Sequence, residues 1–161
     1  MISRSSLDAV SIIRHDVAGK ENDMITKPIP SIEGALANDL GQVKLPESTA
    51  MMPNGVERVY KTKWVDGVTM RASKTARHAF KGLVYRGKSY KMHRLICEAF
   101  HGPAPEGKPI VLHLDEDATN NRPENLRWGT MKENLNMPKF IEYCRKRHGA
   151  DSTWAKARAK A

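Results

Sequence analysis

Between Val111 and Met137 the chain carries His113, Asp115, Asp117, Asn120, Asn121, Asn125 and Asn134, an unusual density of imidazole, carboxylate and amide groups for so short a segment. An imidazole titrates near pH 6.5 when unperturbed, so His113 is suited to moving a proton at neutral pH. Amide oxygens are hard donors and fit Mg²⁺ or Mn²⁺ better than a soft metal. Taken singly, the same residues have plainer readings. A lone histidine is more often a partly buried, hydrogen-bonded one, and asparagines bond their own backbone and tolerate left-handed turns. For Asn120 and Asn121 the turn reading is the better one. Cys97 and Cys144 lie far apart and form no CxxC pair, so neither a disulfide framework nor a four-cysteine zinc site can be built. Any metal must be held by N and O ligands, and Cys97 reads as a small core residue.

The elements that must position these groups follow from the hydrophobic pattern. Ile110 to Leu114 is a short apolar strand, and Leu126 to Trp128 is a second one across an acidic, Asn-rich loop. Thr130 then caps a helix, with Glu133 three residues later to complete a capping box. Trp128 is expected in the core. Upstream, Asp66-Gly67 separates two alternating runs, Glu57 to Val65 and Val68 to Ala72, which signals a tight hairpin. A second hairpin runs from Gly82 to Met92 about a turn at Arg86-Gly87-Lys88. Leu95, Ile96, Ala99 and Phe100 suit a helix from His93, ended by Gly102-Pro103. Four strands thus precede one helix. Pro103, Pro105 and Pro109 make the following connector stiff, since prolines oppose any helix.

Composition bounds the partners. The 161 residues hold 27 Lys+Arg against 18 Asp+Glu. Residues 1–55 carry 5 basic and 7 acidic side chains and residues 56–161 carry 22 and 11, so the basic excess belongs to the body that holds the motif. Such a body suits a polyanion, because each Lys or Arg on a phosphate releases condensed counterions. No run approaches the roughly 18 apolar residues of a membrane span, and the start lacks the layout of a signal peptide. A soluble, intracellular protein with no membrane partner is expected. Residues 1–55, poor in aromatics with scattered Pro, Gly and Ser, read as a mobile arm. Leu7, Val10, Ile12 and Ile13 could line a helix over Ser6 to Val17, as an interaction segment or a frayed terminus. The alternation of Ala, Lys and Arg from Trp154 to Ala161 reads as a basic tail.

The segment from His93 to Met137 resembles the HNH endonucleases, specifically the phage and intron-encoded, homing-endonuclease-like group. The resemblance rests on His93-Arg94-Leu95 and Ala99-Phe100, the connector from Gly102-Pro103, and then His113, Asn120-Asn121-Arg122, Glu124-Asn125-Leu126, Trp128-Gly129-Thr130 and Glu133-Asn134. It implies an α+β fold, in which N-terminal β-hairpins and a short helix lead into a ββα-metal core. The arm over 1–55, a nuclease domain over 56–140 (hairpins 56–92, core 93–140) and a basic C-terminal helix or tail over 141–161 complete that layout. It further implies a metal-dependent DNA endonuclease, with His113 as general base, Asn125 fixing the loop that orients it, and Asn134 as a ligand for Mg²⁺ or Mn²⁺. One departure stands out. Many relatives place Asp or Asn immediately before the base as a second metal ligand, and this chain has Leu112 there. Asp115 is the candidate substitute, with Asp117 weaker, and Met137 replaces a further possible histidine ligand.

Duplex DNA is the implied partner. Lys61, Lys63, Arg71, Lys74, Arg77, Arg86, Lys88 and Lys91 are assigned to phosphate positioning, which carries no sequence information by itself. Arg122 and Arg127 sit nearer the cleavage point, and Arg145, Lys146 and Arg147 could extend the footprint; each could equally be solvated charge. Arg94 joins the basic set, and His93 either contacts phosphate or anchors the helix start. A single active site nicks one strand, so a double-strand cut implies a dimer. The location expected is cytoplasmic, in the host if the chain is phage-encoded. The alternatives are a weak or inactive DNA-binding descendant of a nuclease, for which Leu112 argues, and an RNA-binding basic protein, for which charge alone argues.

Overall fold

The computed structural model describes residues 24–71, 73–74 and 79–149. The expected Ser6 to Val17 helix, Ala72, Arg77 and the tail from Trp154 lie outside them. Nine short strands precede the first helix among the described residues: β1 (Thr26–Pro28), β2 (Leu36–Asn38), β3 (Val43–Lys44), β4 (Ser48–Met51), β5 (Glu57–Tyr60), β6 (Trp64–Val65), β7 (Val68–Arg71), β8 (Ala79–Tyr85) and β9 (Lys88–Lys91). They are followed by α1 (Met92–His101), β10 (Ile110–His113), a 3₁₀ turn at Pro123–Asn125, β11 (Leu126–Gly129), α2 (Met131–Leu135) and α3 (Pro138–His148). The fold is α+β, and β10, β11 and α2 form a ββα unit. All pairings are antiparallel: β1-β2-β3-β6 form one sheet, β7-β8-β9 another, and β4-β5 and β10-β11 are two-stranded.

Three expectations need correction. The arm expected over 1–55 is, in its described part, built into the fold. Ile29, Ile32, Ala35, Ala37 and Val43 are buried in the same cluster as Leu83, Met92, Leu95, Ile96 and Leu126. Strands of two or three residues with small side chains and prolines between them leave little periodicity to read, so burial there depends on the α1 surface they cover. Second, Asp66-Gly67 does not turn a hairpin. β5 pairs with β4, β6 with β3, and β7 with β8, so the alternating run is divided among three sheets. Gly67 has φ +73, and a Cβ there would come within 2.6 Å of Met92 Cγ. Glycine is needed at that point for close approach of the backbone to the start of α1. Third, the C-terminal helix begins at Pro138, three residues before the boundary read from sequence, because Pro at the first helical position is preorganised for starting a helix.

The second hairpin forms as the sequence predicts. Arg86 at φ 49 and Gly87 at φ 75 are both left-handed, the two-residue geometry whose twist matches that of the flanking strands. β9 passes into α1 with Lys91 as its extended N-cap residue. Met92, Leu95 and Ile96 recur at helical spacing and are buried together with Cys97. Full burial of a side chain such as Ile96 contributes about 1.5–3 kcal/mol. The far end of α1 is tied to the ββα unit by the Trp128 Nε1 hydrogen donated to the Gly102 carbonyl at 2.9 Å and by His101 Nε2, 2.9 Å from the Pro123 carbonyl. α1 therefore forms the floor on which β10 and β11 rest.

Candidate active site

The loop from Leu114 to Arg122 has little apolar content, so side-chain hydrogen bonds shape it. Asn125 is the hub. Its Oδ1 accepts from the Asp115 amide at 3.0 Å, and its Nδ2 donates to Asp115 Oδ1 at 2.8 Å and to the Asn120 carbonyl at 2.9 Å. Asp115 Oδ1 also accepts from the Asp117 amide at 2.8 Å, and Oδ2 from Asn120 Nδ2 at 2.7 Å. These bonds, that from the Asp117 amide foremost, hold the Asp115 carboxyl down at about 2. Asp117 repeats the motif, accepting from the amide and hydroxyl of Thr119 at 2.9 and 2.7 Å, which keeps its carboxyl below the ordinary range.

His113 projects from the end of β10. Its Nε2 lies 3.3 Å from Asn121 Oδ1, and its ring meets His93 edge to face with centroids 5.2 Å apart. With the amide oxygen on that side, Nε2 carries the hydrogen and the Nδ1 lone pair is left to take a proton. Burial is the main cause that lowers the His113 pKa, and Asn121, Asp115 and Asp117 oppose it. His93 is pushed down to about 4, by burial first and then by His113, Lys91 and Arg94. Both imidazoles are thus neutral at pH 7. His93 Nδ1 is buried without a hydrogen-bond partner, and the ring packs against His113.

His113 and Asn134 line one cleft of about 600 Å³, whose opposite wall includes Lys139, Phe140 and Tyr143 of α3. Asn134 is held there by the capping box: Glu133 accepts from the Thr130 amide at 2.7 Å, and Thr130 Oγ1 accepts from the Glu133 amide at 3.1 Å. Arg127 bridges Glu133 at 2.7 Å, and this contact is the first cause that holds the Glu133 carboxyl at about 2.

Leu112 is 1% exposed. Alternation along β10 turns it away from His113, and a Cβ at Gly129 would collide with its side chain. Both Asp115 oxygens accept hydrogen bonds within its own loop, and Asp115 is not among the residues that line this cleft. The carboxylates on that wall are Glu116 and Glu142. Glu116, at φ 58, accepts from the Lys139 amide at 2.9 and 3.2 Å, and Lys139 Nζ donates to the Asp115 carbonyl at 2.7 Å. This clasp fixes α3 across the cleft. Among the described residues no three His, Cys, Asp or Glu side chains form a cluster able to hold a metal. The hard oxygen donors that line the cleft are the Asn134 amide and the Glu116 and Glu142 carboxylates. Sequence reading passed over Asn121 and Glu116. Asn121 looked like a turn residue, and only its 4% exposure beside His113 distinguishes it. Nothing in the sequence separated Glu116 from its acidic neighbours.

The basic residues divide. Lys61, Lys63, Arg71, Lys88 and Lys91 are exposed on or beside the sheets. Arg145 is exposed on α3, where Arg147 donates to Tyr143 Oη at 2.8 Å. Arg86 lies over Tyr85. Arg94 donates to the Pro109 carbonyl at 3.1 Å and stacks over Trp128, so it clasps the core. Arg127 is engaged by Glu133, and Arg122 pairs with Glu124 at 3.8 Å across exposed side chains.

Residues 90–136 match the family model described as HNH endonuclease. An uncharacterized HNH endonuclease of Acanthamoeba polyphaga mimivirus is 44% identical over 46 residues, which are 28% of this chain and 12% of that protein. A solved structure of the HNH homing endonuclease I-HmuI overlaps 84% of this chain and 66% of its own, at 24% identity and a TM-score of 0.43. The chain thus spans about an eighth of the viral relative and just under two thirds of the solved one. The matched segment is the one that holds His113, Asn125 and Asn134, so residues 90–136 are similar to the HNH endonuclease family over the stretch that forms the cleft.

Proposed function

We propose that the chain hydrolyses phosphodiester bonds of duplex DNA as a metal-dependent endonuclease. The observation that carries this reading is the neutral His113 imidazole with its Nδ1 lone pair available, on one cleft with the hard donor Asn134. His113 Nδ1 takes a proton from the attacking water, Asn121 holds the opposite ring nitrogen, and Asn125 keeps the loop in register. A divalent cation, Mg²⁺ or Mn²⁺, held by Asn134 with Glu116, would supply charge stabilisation for the phosphorane and the leaving 3′ oxygen. Two protein ligands are compatible with such an ion, which usually keeps several waters. Lys139 and Lys146 on the same cleft offer cations for the phosphate beside the scissile bond. Lys61, Lys63, Arg71, Lys88 and Lys91 hold the flanking backbone. No helix among the described residues is long and apolar enough to cross a membrane.

Leu112 favours a second reading, a DNA-binding descendant with weak or no cleavage. Supercoiled plasmid incubated with the protein and Mg²⁺, Mn²⁺ or EDTA separates the two. Nicked circles that form with metal, vanish in EDTA and vanish for His113→Ala support the proposal, and a linear product at early times would indicate a dimer. Tight binding with no nicks in either metal favours the second reading, and nicks that persist in EDTA overturn the mechanism.

A further inference from the structure

A second cleft, sharing no lining residue with the first, lies where the β4–β5 ribbon meets the turn between β8 and β9. We propose that it receives an unpaired nucleotide of the DNA, whose base lies against Tyr60 and Tyr85 while Lys61, Lys63 and Arg86 take the adjoining phosphates. Its volume of about 520 Å³ suits a small-molecule-sized group. A duplex, whose major groove alone is about 12 Å wide, is far too large to enter. The lining includes apolar Leu45, Val65 and Val84, three cations and no carboxylate. A duplex phosphate has no use for two aromatic rings beside apolar side chains, whereas a base does.

The topology explains how the cleft arises. The chain leaves β5 at Tyr60 and crosses to β6 at Trp64, so Lys61 and Lys63 fall on the crossing and Tyr60 lines the cleft together with Val65, Val84 and Tyr85 of other sheets. Tyr60 is 44% exposed. Arg58 lies 5.2 Å from the Tyr60 ring and Arg86 lies 5.2 Å from the Tyr85 ring, the pairing of aromatic platform and guanidinium that single-stranded nucleic-acid sites use. The turn of the β8–β9 hairpin contributes Tyr85, Arg86 and Gly87 to this cleft, and none of these residues lines the first. Extruding a base from a duplex costs free energy, least where it is already unpaired, so the cleft makes the protein prefer gapped or bulged DNA over intact duplex.

The identity of the ligand rests on the nuclease reading, but the test does not require cleavage. Fluorescence anisotropy of the full chain in EDTA compares an intact duplex with the same duplex carrying a three-nucleotide gap. Wild type is expected to bind the gapped DNA about ten-fold more tightly. The Tyr60→Ala/Tyr85→Ala double variant should lose that preference and keep its affinity for intact duplex, and Tyr60→Phe/Tyr85→Phe should retain both. Should the double variant fail to fold by circular dichroism, Tyr60→Ala alone, at an exposed ring, carries the comparison. A 2-aminopurine in the gap should be quenched on binding to wild type and not to the alanine variant. Equal affinity of wild type for the two DNAs, or a preference unchanged by the alanines, overturns the proposal. Loss of metal-dependent nicking with the preference intact would overturn only the nuclease reading.

Discussion

Replacing Asn125 by alanine tests whether one side chain holds the catalytic loop. Asn125 is 8% exposed and makes three hydrogen bonds to Asp115 and Asn120. Each is worth about 1 kcal/mol net, so Asn125→Ala should lose about 3 kcal/mol. With a urea dependence of about 1.5 kcal/mol per molar for a small domain, the midpoint falls by about 2 M. Nicking should fall more steeply than stability predicts, because Asn121, the partner of His113, rides on the same loop. Asn125→Asp sharpens the test. It is isosteric and keeps the acceptor to the Asp115 amide, but it removes both donors and sets a second carboxylate against one held ionised down to about pH 2. It should be at least as unstable as the alanine variant. A midpoint shift below about 0.5 M for alanine, or wild-type stability for the aspartate, would show that the loop does not depend on this side chain.

Acidification should destabilise the protein between the unfolded-state histidine pKa near 6.5 and the folded-state value of about 4 for His93. The unfolded chain binds the extra proton there, so stability present above pH 6.5 is lost as pH falls and the loss levels off near pH 4, at about 3 kcal/mol. His93→Phe should flatten that slope in denaturation series at pH 7, 5.5 and 4; an unchanged slope assigns the loss elsewhere. For the reaction, the lowered pKa of His113 puts the acid limb of the rate profile below pH 6.5, and a limb above pH 7 would contradict a buried neutral base. Leu112→Asp sets a carboxylate where a 1% exposed leucine packs on Gly129. We expect several kcal/mol of destabilisation and no gain in Mg²⁺ affinity by calorimetry; tighter metal binding by a folded variant would show that the position can reach the cleft. Charge reversal at the exposed Lys88 and Lys91 should reduce the slope of log K against log salt by about two, and an unchanged slope removes them from the DNA footprint.

Where local chemistry suffices, the sequence was legible. The Arg86-Gly87 turn, α1 with its stop at Gly102, the two strands around the Asn-rich loop and the Thr130–Glu133 capping box all depend on residues a few positions apart, and each stands where it was read. The spacing of His113, Asn125 and Asn134 was likewise visible, because a ββα unit is itself local. Only tertiary structure decided the rest. Strands of two or three residues carry almost no periodicity, so the burial of Ile29 to Val43 and the division of residues 57–71 among three sheets depend on which surfaces α1 and its neighbours leave uncovered. The same holds at the site. Which of the acidic residues at 115 to 117 faces the cleft is set by a left-handed backbone at Glu116 and by its clasp on Lys139, a contact 23 residues away in sequence. That His93 buttresses the base, and that Asn121 touches it, are facts of packing between α1 and the loop, which no pattern within either segment records.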